Sequence, residues 1–260
     1  MKLDMFIIDA FAVRTLTGNP AAVCPLDAWI DDDTMQAIAE EMNLSETVFF
    51  VPNGDEFEIR WFTPTREVDM IGHATLAAGY LILDRIRPDL QHVKFVNPTG
   101  DMVVSWDGNS LVIDMPALVP QPIPPITALA SALGQVPREV LASKHYLCVF
   151  ENEDIVVGLE PDFAALAKLD LPAVIVTAPG STEFDFVSRF FAPANGVPED
   201  SVSGVAHCCL TPFWSERLGI TNMKARQLSS RGGVIHCEFD KDRVRLTGSA
   251  ITFLEGQISI

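Results

Sequence analysis

The sequence predicts a mixed α/β (α+β) protein made of two similar halves, and three observations carry that reading. The first is an internal repeat. Residues 57–64 read Phe-Glu-Ile-Arg-Trp-Phe-Thr-Pro, and residues 186–193 read Phe-Val-Ser-Arg-Phe-Phe-Ala-Pro. Phe57, Arg60, Phe62 and Pro64 recur as Phe186, Arg189, Phe191 and Pro193, each displaced by 129 residues, half the chain. The second lies just beyond each Pro: a polar loop with an acid, then a glycine opening an apolar helical stretch. These are Asp69, Gly72 and 73–77 in the first half, and Asp200, Gly204 and 205–209 in the second. The third is the segment between the halves, where five prolines fall between Pro116 and Pro125. Proline fixes φ and lacks a backbone donor, so this stretch is predicted to be an extended crossing and no element. The predicted domains are 1–118 and 119–260, with the last strand free to cross back to the first half.

The elements are predicted in this order. Asp31-Asp32-Asp33 opens an amphipathic helix running to Met42, its acidic first turn suited to the positive end of a helix dipole. An apolar strand comes next, from Thr47 to Phe50, and then the repeated strand. A second helix is predicted from Gly72. Beyond it, residues 93–96 lead through Pro98-Thr99-Gly100 into a strand at 102–106 that turns at Asp107-Gly108-Asn109. The counterparts are 223–226, Arg231-Gly232-Gly233, and 234–239 turning at Asp240-Lys241-Asp242. A third helix is predicted from Gly204, with a kink at Pro212. Collinear agreement over about 55 residues argues for a duplication.

Composition excludes several classes of function. The 260 residues are 48% hydrophobic and 20% charged, enough to bury a large core and incompatible with disorder. Thirty-five Asp and Glu against 18 Lys and Arg give a charge of −17, which opposes nucleic acid and anionic membrane surfaces. Asp4 and Asp9 interrupt the first apolar run, spoiling a signal peptide, and no run is long enough to span a bilayer. The five cysteines are odd in number and form no C-x-x-C pair, which points to free thiols and a cytoplasmic location.

Several residues are candidates for chemistry. Unpaired amides at the helix starts of Gly72 and Gly204 make anion sites, expected to face one another across a cleft and to hold a small carboxylate. Glu46 stands between a helix and an apolar strand, flanked by Ser45 and Thr47; a partly desolvated carboxyl there suits proton transfer. Aligning the repeat back from Pro52 and Pro179 sets Glu46 opposite Ala173. His73 lies in the first turn after Gly72, beside the expected anion site. Cys208, Cys209, His207, His236 and Cys237 have no metal-ligand spacing, so no metal is expected, and no phosphate-binding glycine motif occurs.

Gly18-Asn19-Pro20-Ala21-Ala22-Val23, Glu41-Met42-Asn43-Leu44-Ser45-Glu46, Gly72-His73-Ala74-Thr75 and Glu199-Asp200-Ser201-Val202-Ser203-Gly204 resemble the PhzF (phenazine biosynthesis-like) family, in order and across the whole chain. The resemblance implies the diaminopimelate epimerase fold: two pseudo-symmetric halves, each a curled, mostly antiparallel sheet around a central helix. It also implies a cytosolic homodimer and cofactor-free isomerase chemistry, with Glu46 as the single general acid/base and His73 and Asp200 in the active site. Ile71 and Ser203 stand where the epimerase branch carries its two thiols, which excludes two-cysteine racemisation. Val205 replaces a serine of the phenazine-pathway enzyme, and Ala74 a proline.

The expected reaction is a proton shift on a small carboxylate-bearing, amino-acid-like or cyclic metabolite, with no cofactor. Amides at Gly72–His73 and at Gly204–Val205, beside Ser203, would hold the carboxylate, while His73 and Asp200 orient a polar group. Two other readings share the residues: a lyase or dehydratase using the same base, and a non-catalytic binding protein on the same fold.

Overall fold

The computed structural model describes every residue except Met70 and Thr99, so the Thr99 part of the turn expected at 98–100 lies outside the described residues. In chain order the elements of the first stretch are β1 (Lys2–Ala10), β2 (Asn19–Pro25), α1 (Asp32–Met42), β3 (Glu46–Asn53), β4 (Glu56–Phe62), β5 (Glu67–Val68), α2 (Gly72–Leu81), β6 (His92–Val96), β7 (Met102–Asp107) and β8 (Ser110–Pro116). Then come β9 (Gln121–Pro122), α3 (Thr127–Leu133), β10 (Glu139–Ala142), β11 (Tyr146–Val149), α4 (Glu153–Val157), α5 (Phe163–Leu166), β12 (Val174–Pro179) and β13 (Phe186–Ala192). The chain finishes with β14 (Val197–Asp200), α6 (Gly204–Leu218), β15 (Asn222–Gln227), β16 (Gly233–Asp240), β17 (Arg243–Gly248) and β18 (Ala250–Ser259). Two compact units result, one of Met1–Met115 with Thr247–Ile260 and one of Pro116–Leu246.

In the first unit β18 and β2 flank β1 antiparallel, β2 runs parallel to β3, β3 antiparallel to β4, β4 parallel to β6, and β7 and β8 continue antiparallel. The second unit repeats this pattern strand for strand. β10 and β11 are antiparallel, β11 and β12 parallel, β12 and β13 antiparallel, β13 and β15 parallel, and β15 and β16 antiparallel. Duplicated sequence thus gives duplicated connectivity. The ladders also fix the repeat register. Thr47 pairs with Phe62 and Pro52 with Phe57, while Val174 pairs with Phe191 and Pro179 with Phe186. Since Phe62 and Phe57 are the repeat mates of Phe191 and Phe186, Glu46 corresponds to Ala173 with no gap.

Each unit is wrapped around one apolar helix. All but one of the ten residues of α2 are buried, the pattern of a helix with no solvent face. It packs against β18, β1, β2 and β3 and also against β7, near the other end of the strand order, so the sheet curls round it. The approach to β7 is close: a Cβ on Gly79 would sit 2.5 Å from the Val104 side chain. In the second unit α6 holds the same place. Trp214 stacks on Phe186 of β13 and donates to Thr177 Oγ1 of β12 at 2.9 Å.

Three features add to the sequence reading. The proline-rich crossing is not wholly irregular, because Gln121 and Pro122 form a short strand against β10. Their two residues pair at an edge, where proline's missing donor costs no ladder bond. Pro212 stays inside a continuous helix. The Cys208 carbonyl that lost its partner accepts instead from Leu118 N–H at 2.9 Å, so the incoming crossing segment satisfies it. Finally, α2 runs on into a π-turn at Ile82–Ile86, closed by Arg87 N–H on the Ile82 carbonyl.

Candidate active site

The first unit builds its site at the end of the sheet where β2, β3 and α2 all begin. Asp31 caps α1 by accepting from Thr34 N–H at 2.9 Å, and Asn43, in the left-handed region at φ 49°, ends it. The chain then needs only Leu44 and Ser45 before Glu46 opens β3. Ser45 Oγ donates to Asn19 Oδ1 at 3.3 Å, and Ala21 of the parallel strand β2 lies across from Glu46. His73 is the second residue of α2, whose start is held by Trp61 Nε1 donating to Thr75 Oγ1 at 3.1 Å and by Thr75 Oγ1 donating to the Ile71 carbonyl.

These elements bring Glu46 and His73 together. Glu46 Oε2 lies 3.2 Å from His73 Nε2, with Glu46 8% exposed and His73 3%. The contact lacks the alignment of a hydrogen bond. A buried carboxylate without aligned donors is destabilising in the free protein. Catalytic groups commonly hold such loose geometry until substrate tightens it. Gly72 is buried beside them, and Ile71 gives α2 no side-chain cap.

The other expected residues gather in the second unit. Asp200 ends β14, and Ser203, Gly204 and Val205 form the start of α6. This start is capped: Ser203 Oγ accepts from Ala206 N–H at 3.2 Å, and the Ser203 carbonyl meets His207 Nδ1 at 2.7 Å. Gln227, which sequence reasoning missed, ties the loop together. Its Oε1 accepts from Ser203 N–H at 2.9 Å and its Nε2 donates to the Asp200 carbonyl at 2.7 Å. The signal was present, since Met223, Ala225 and Gln227 are the inward positions of one strand and Gln227 is the polar one. Burial lowers the His207 pKa to about 4, so its imidazole is neutral near pH 7.

The thiols are core groups. All five cysteines are buried and free. Burial pushes Cys24, Cys148 and Cys237 up to about 12 and Cys209 to about 11. Among the described residues no group of three or more His, Cys, Asp or Glu side chains could hold a metal ion. No helix among them is long and apolar enough to cross a membrane. An open groove lined by Trp29, Glu58, Arg60 and Glu67 has its charges already engaged: Arg60 forks onto Glu67 at 2.7 Å, and Trp29 Nε1 donates to Glu58 at 2.8 Å.

Comparison with known proteins agrees with this architecture. The model of the PhzC-PhzF family, described as phenazine biosynthesis-like protein, matches residues 8–256. The chain belongs to that family. It is 44% identical over its whole length to an uncharacterized isomerase of Pseudomonas aeruginosa, which it also covers completely. A crystal structure of a PhzF-family phenazine biosynthesis protein from Enterococcus faecalis superposes with a TM-score of 0.96 at 39% identity, each chain fully covered. A hydroxyproline epimerase from Agrobacterium vitis shares the fold, with a TM-score of 0.64 at 11% identity over 99% of this chain and 91% of that one. The diaminopimelate epimerase-like fold expected from the resemblance is therefore the fold of this PhzF-family chain.

Proposed function

We propose that this PhzF-family chain is a cofactor-independent isomerase of a small carboxylate-bearing metabolite, with Glu46 as the general acid/base. The observation that carries the reading is the buried, misaligned contact of 3.2 Å between Glu46 and His73. The isomerase name carried by the Pseudomonas relative supports it. Glu46 takes a proton from a carbon next to the carboxylate or an unsaturated centre. The electron pair left behind moves into the adjoining π system, and Glu46 returns the proton to a second carbon. Amides at the uncapped start of α2 stabilise the charge that develops, while His73 orients the substrate's polar group. In the second unit the helix-start amides at Gly204 and Val205, beside Ser203, are assigned to substrate binding as an anion site. Asp200 and a homodimeric assembly follow from the resemblance, and the odd cysteine count supports a cytoplasmic location.

The test is proton exchange. Small cyclic and amino-acid carboxylates are incubated with the protein in deuterium oxide and read by mass spectrometry. An isomerase using Glu46 places solvent deuterium on carbon and leaves the product otherwise isomeric, and Glu46→Gln abolishes the exchange. Loss of water or ammonia from the substrate would assign the same base to a lyase. Exchange that persists in Glu46→Gln would remove Glu46 as the base.

A further inference from the structure

The two units differ in the connection that leads into the strand beside the Glu46 position. In the first, Ala10 and Asn19 are the last paired residues of β1 and β2, leaving eight residues between them. In the second, Ala142 and Tyr146 are paired, leaving three. The longer connection belongs to the unit that carries Glu46 and His73. Its far end is Asn19, 1% exposed and bonded to Ser45, so it lies at the end of the sheet where Glu46 and Gly72 begin their elements.

This connection is built at a cost. Phe11 and Leu16 adopt φ of 55° and 69°, a region that side chains with a Cβ rarely occupy. Gly18, at φ 73°, admits no Cβ, which would meet the Ala10 carbonyl oxygen at 2.3 Å. Asp9, 1% exposed, accepts from Leu16 N–H at 3.1 Å. Thr17 Oγ1 accepts from Arg14 N–H at 3.3 Å and donates to the Arg14 carbonyl at 2.7 Å. The result is an exposed tip, Val13 to Leu16, on a buried and hydrogen-bonded base. Val13 is 65% exposed and Leu16 60%, and Arg14 lies between them. Most arginines are engaged with acids, as Arg60, Arg189 and Arg217 are, in a chain of net charge −17. Arg14 makes no ion pair among the described residues.

We propose that Arg14 is a specificity-determining residue of the Glu46–His73 site: its guanidinium holds a second anionic group of the substrate, with Val13 and Leu16 against the substrate's apolar body. This rests on the site assignment made above and narrows the substrate class to small molecules with two anionic groups, one deep at the start of α2 and one at the rim. The difference in depth argues for two groups, because Gly72, Glu46 and His73 are buried while the tip faces solvent. A guanidinium suits the rim position because its planar fork meets a carboxylate through two parallel bonds. Substitution at Arg14 leaves both of its backbone bonds to Thr17 in place.

The test compares benzoate with phthalate, isophthalate and terephthalate, titrated while the imidazole resonances of His73 are followed by NMR and assigned through His73→Gln. At least one dicarboxylate is expected to shift His73 with an affinity ten or more times that of benzoate. Arg14→Gln is expected to remove that preference while leaving benzoate binding unchanged, and Arg14→Lys to restore part of it. A preference that survives in Arg14→Gln, or dicarboxylates that bind no better than benzoate, overturns the role of Arg14 and leaves the site standing. If no carboxylate moves His73, the site assignment falls and the role of Arg14 falls with it.

Discussion

The two units share connectivity and differ at the positions where chemistry would occur. Where the first places Glu46 and His73, the second places Ala173 and Val205, two apolar side chains that move no proton. Where α2 starts uncapped, α6 starts with Ser203 closed onto Ala206 and with Gln227 clamping the loop before it. The loop before α6 is closed by hydrogen bonds, whereas Glu46 and His73 at the start of α2 stand close but misaligned. The duplicated fold thus keeps a buried carboxylate–imidazole contact in one copy and a hydrogen-bonded helix start in the other.

The largest expected effect is at Glu46. Glutamine keeps size but cannot accept and return a proton, so Glu46→Gln should lower turnover by about 10²–10⁴-fold, measured as deuterium incorporation. Its stability should stay within about 1 kcal/mol of the parent by chemical denaturation, because a neutral amide replaces a carboxylate that has no aligned donor. A variant that fails to fold would make Glu46 a structural residue.

The next effect concerns acid stability. His207 occupies the place of Thr75, and its pKa near 4 lies below the ordinary value of 6.5. In the folded state it resists protonation, while in the unfolded chain it binds a proton freely. The unfolded state is therefore favoured progressively as pH falls from 6.5 to 4, and above 6.5 the difference vanishes. This single group should cost about 3 kcal/mol across that window. His207→Thr, borrowing the residue of the other unit, should flatten the profile in urea titrations at several pH values. An unchanged slope would mean that His207 opens to water before the chain unfolds.

Third is Gln227. Removing a buried amide that satisfies two backbone groups should cost about 2–3 kcal/mol in Gln227→Ala. Glutamate there keeps the acceptor for Ser203 and loses the donor to Asp200, so it should restore little. The smallest effect is expected from thiol reagents. With burial raising four cysteine pKa values to about 11–12, alkylation near pH 7 should be slow and should leave deuterium exchange intact. Activity lost in step with modification of Cys208 or Cys209, with the fold intact, would give a thiol a place in the chemistry.

The repeat was legible because Phe57, Arg60, Phe62 and Pro64 keep their order and spacing, and the strand order derives from that. The helices α3, α4 and α5 were not read, since stretches of four to seven residues show too little periodicity. Their caps were visible in principle. Asn152 accepts from Ile155 N–H and Asp162 from Ala165 N–H, so Asn-x-x-Ile and Asp-x-x-Ala were start signals. Glu46 could be singled out by its place before an apolar strand, but its contact with His73 could not. That contact spans 27 residues of sequence and depends on how far the sheet curls round α2, a property of packing that no local pattern records. The partner of the Cys208 carbonyl was hidden for the same reason, because Leu118 lies 90 residues earlier in the crossing segment.

The pairing of β1 with β18 has a consequence for biosynthesis. The second unit is one uninterrupted stretch of 131 residues, whereas the first lacks residues 247–260 until that whole stretch has been made. At about 5–20 residues per second the wait is roughly 7–26 s, during which β1 exposes an open edge. The unit bearing Glu46 therefore cannot be completed before the last strand of the chain is made, although most of its residues are made first. A released chain truncated after Leu246 should yield a protease-resistant Pro116–Leu246 core while its amino-terminal part is digested.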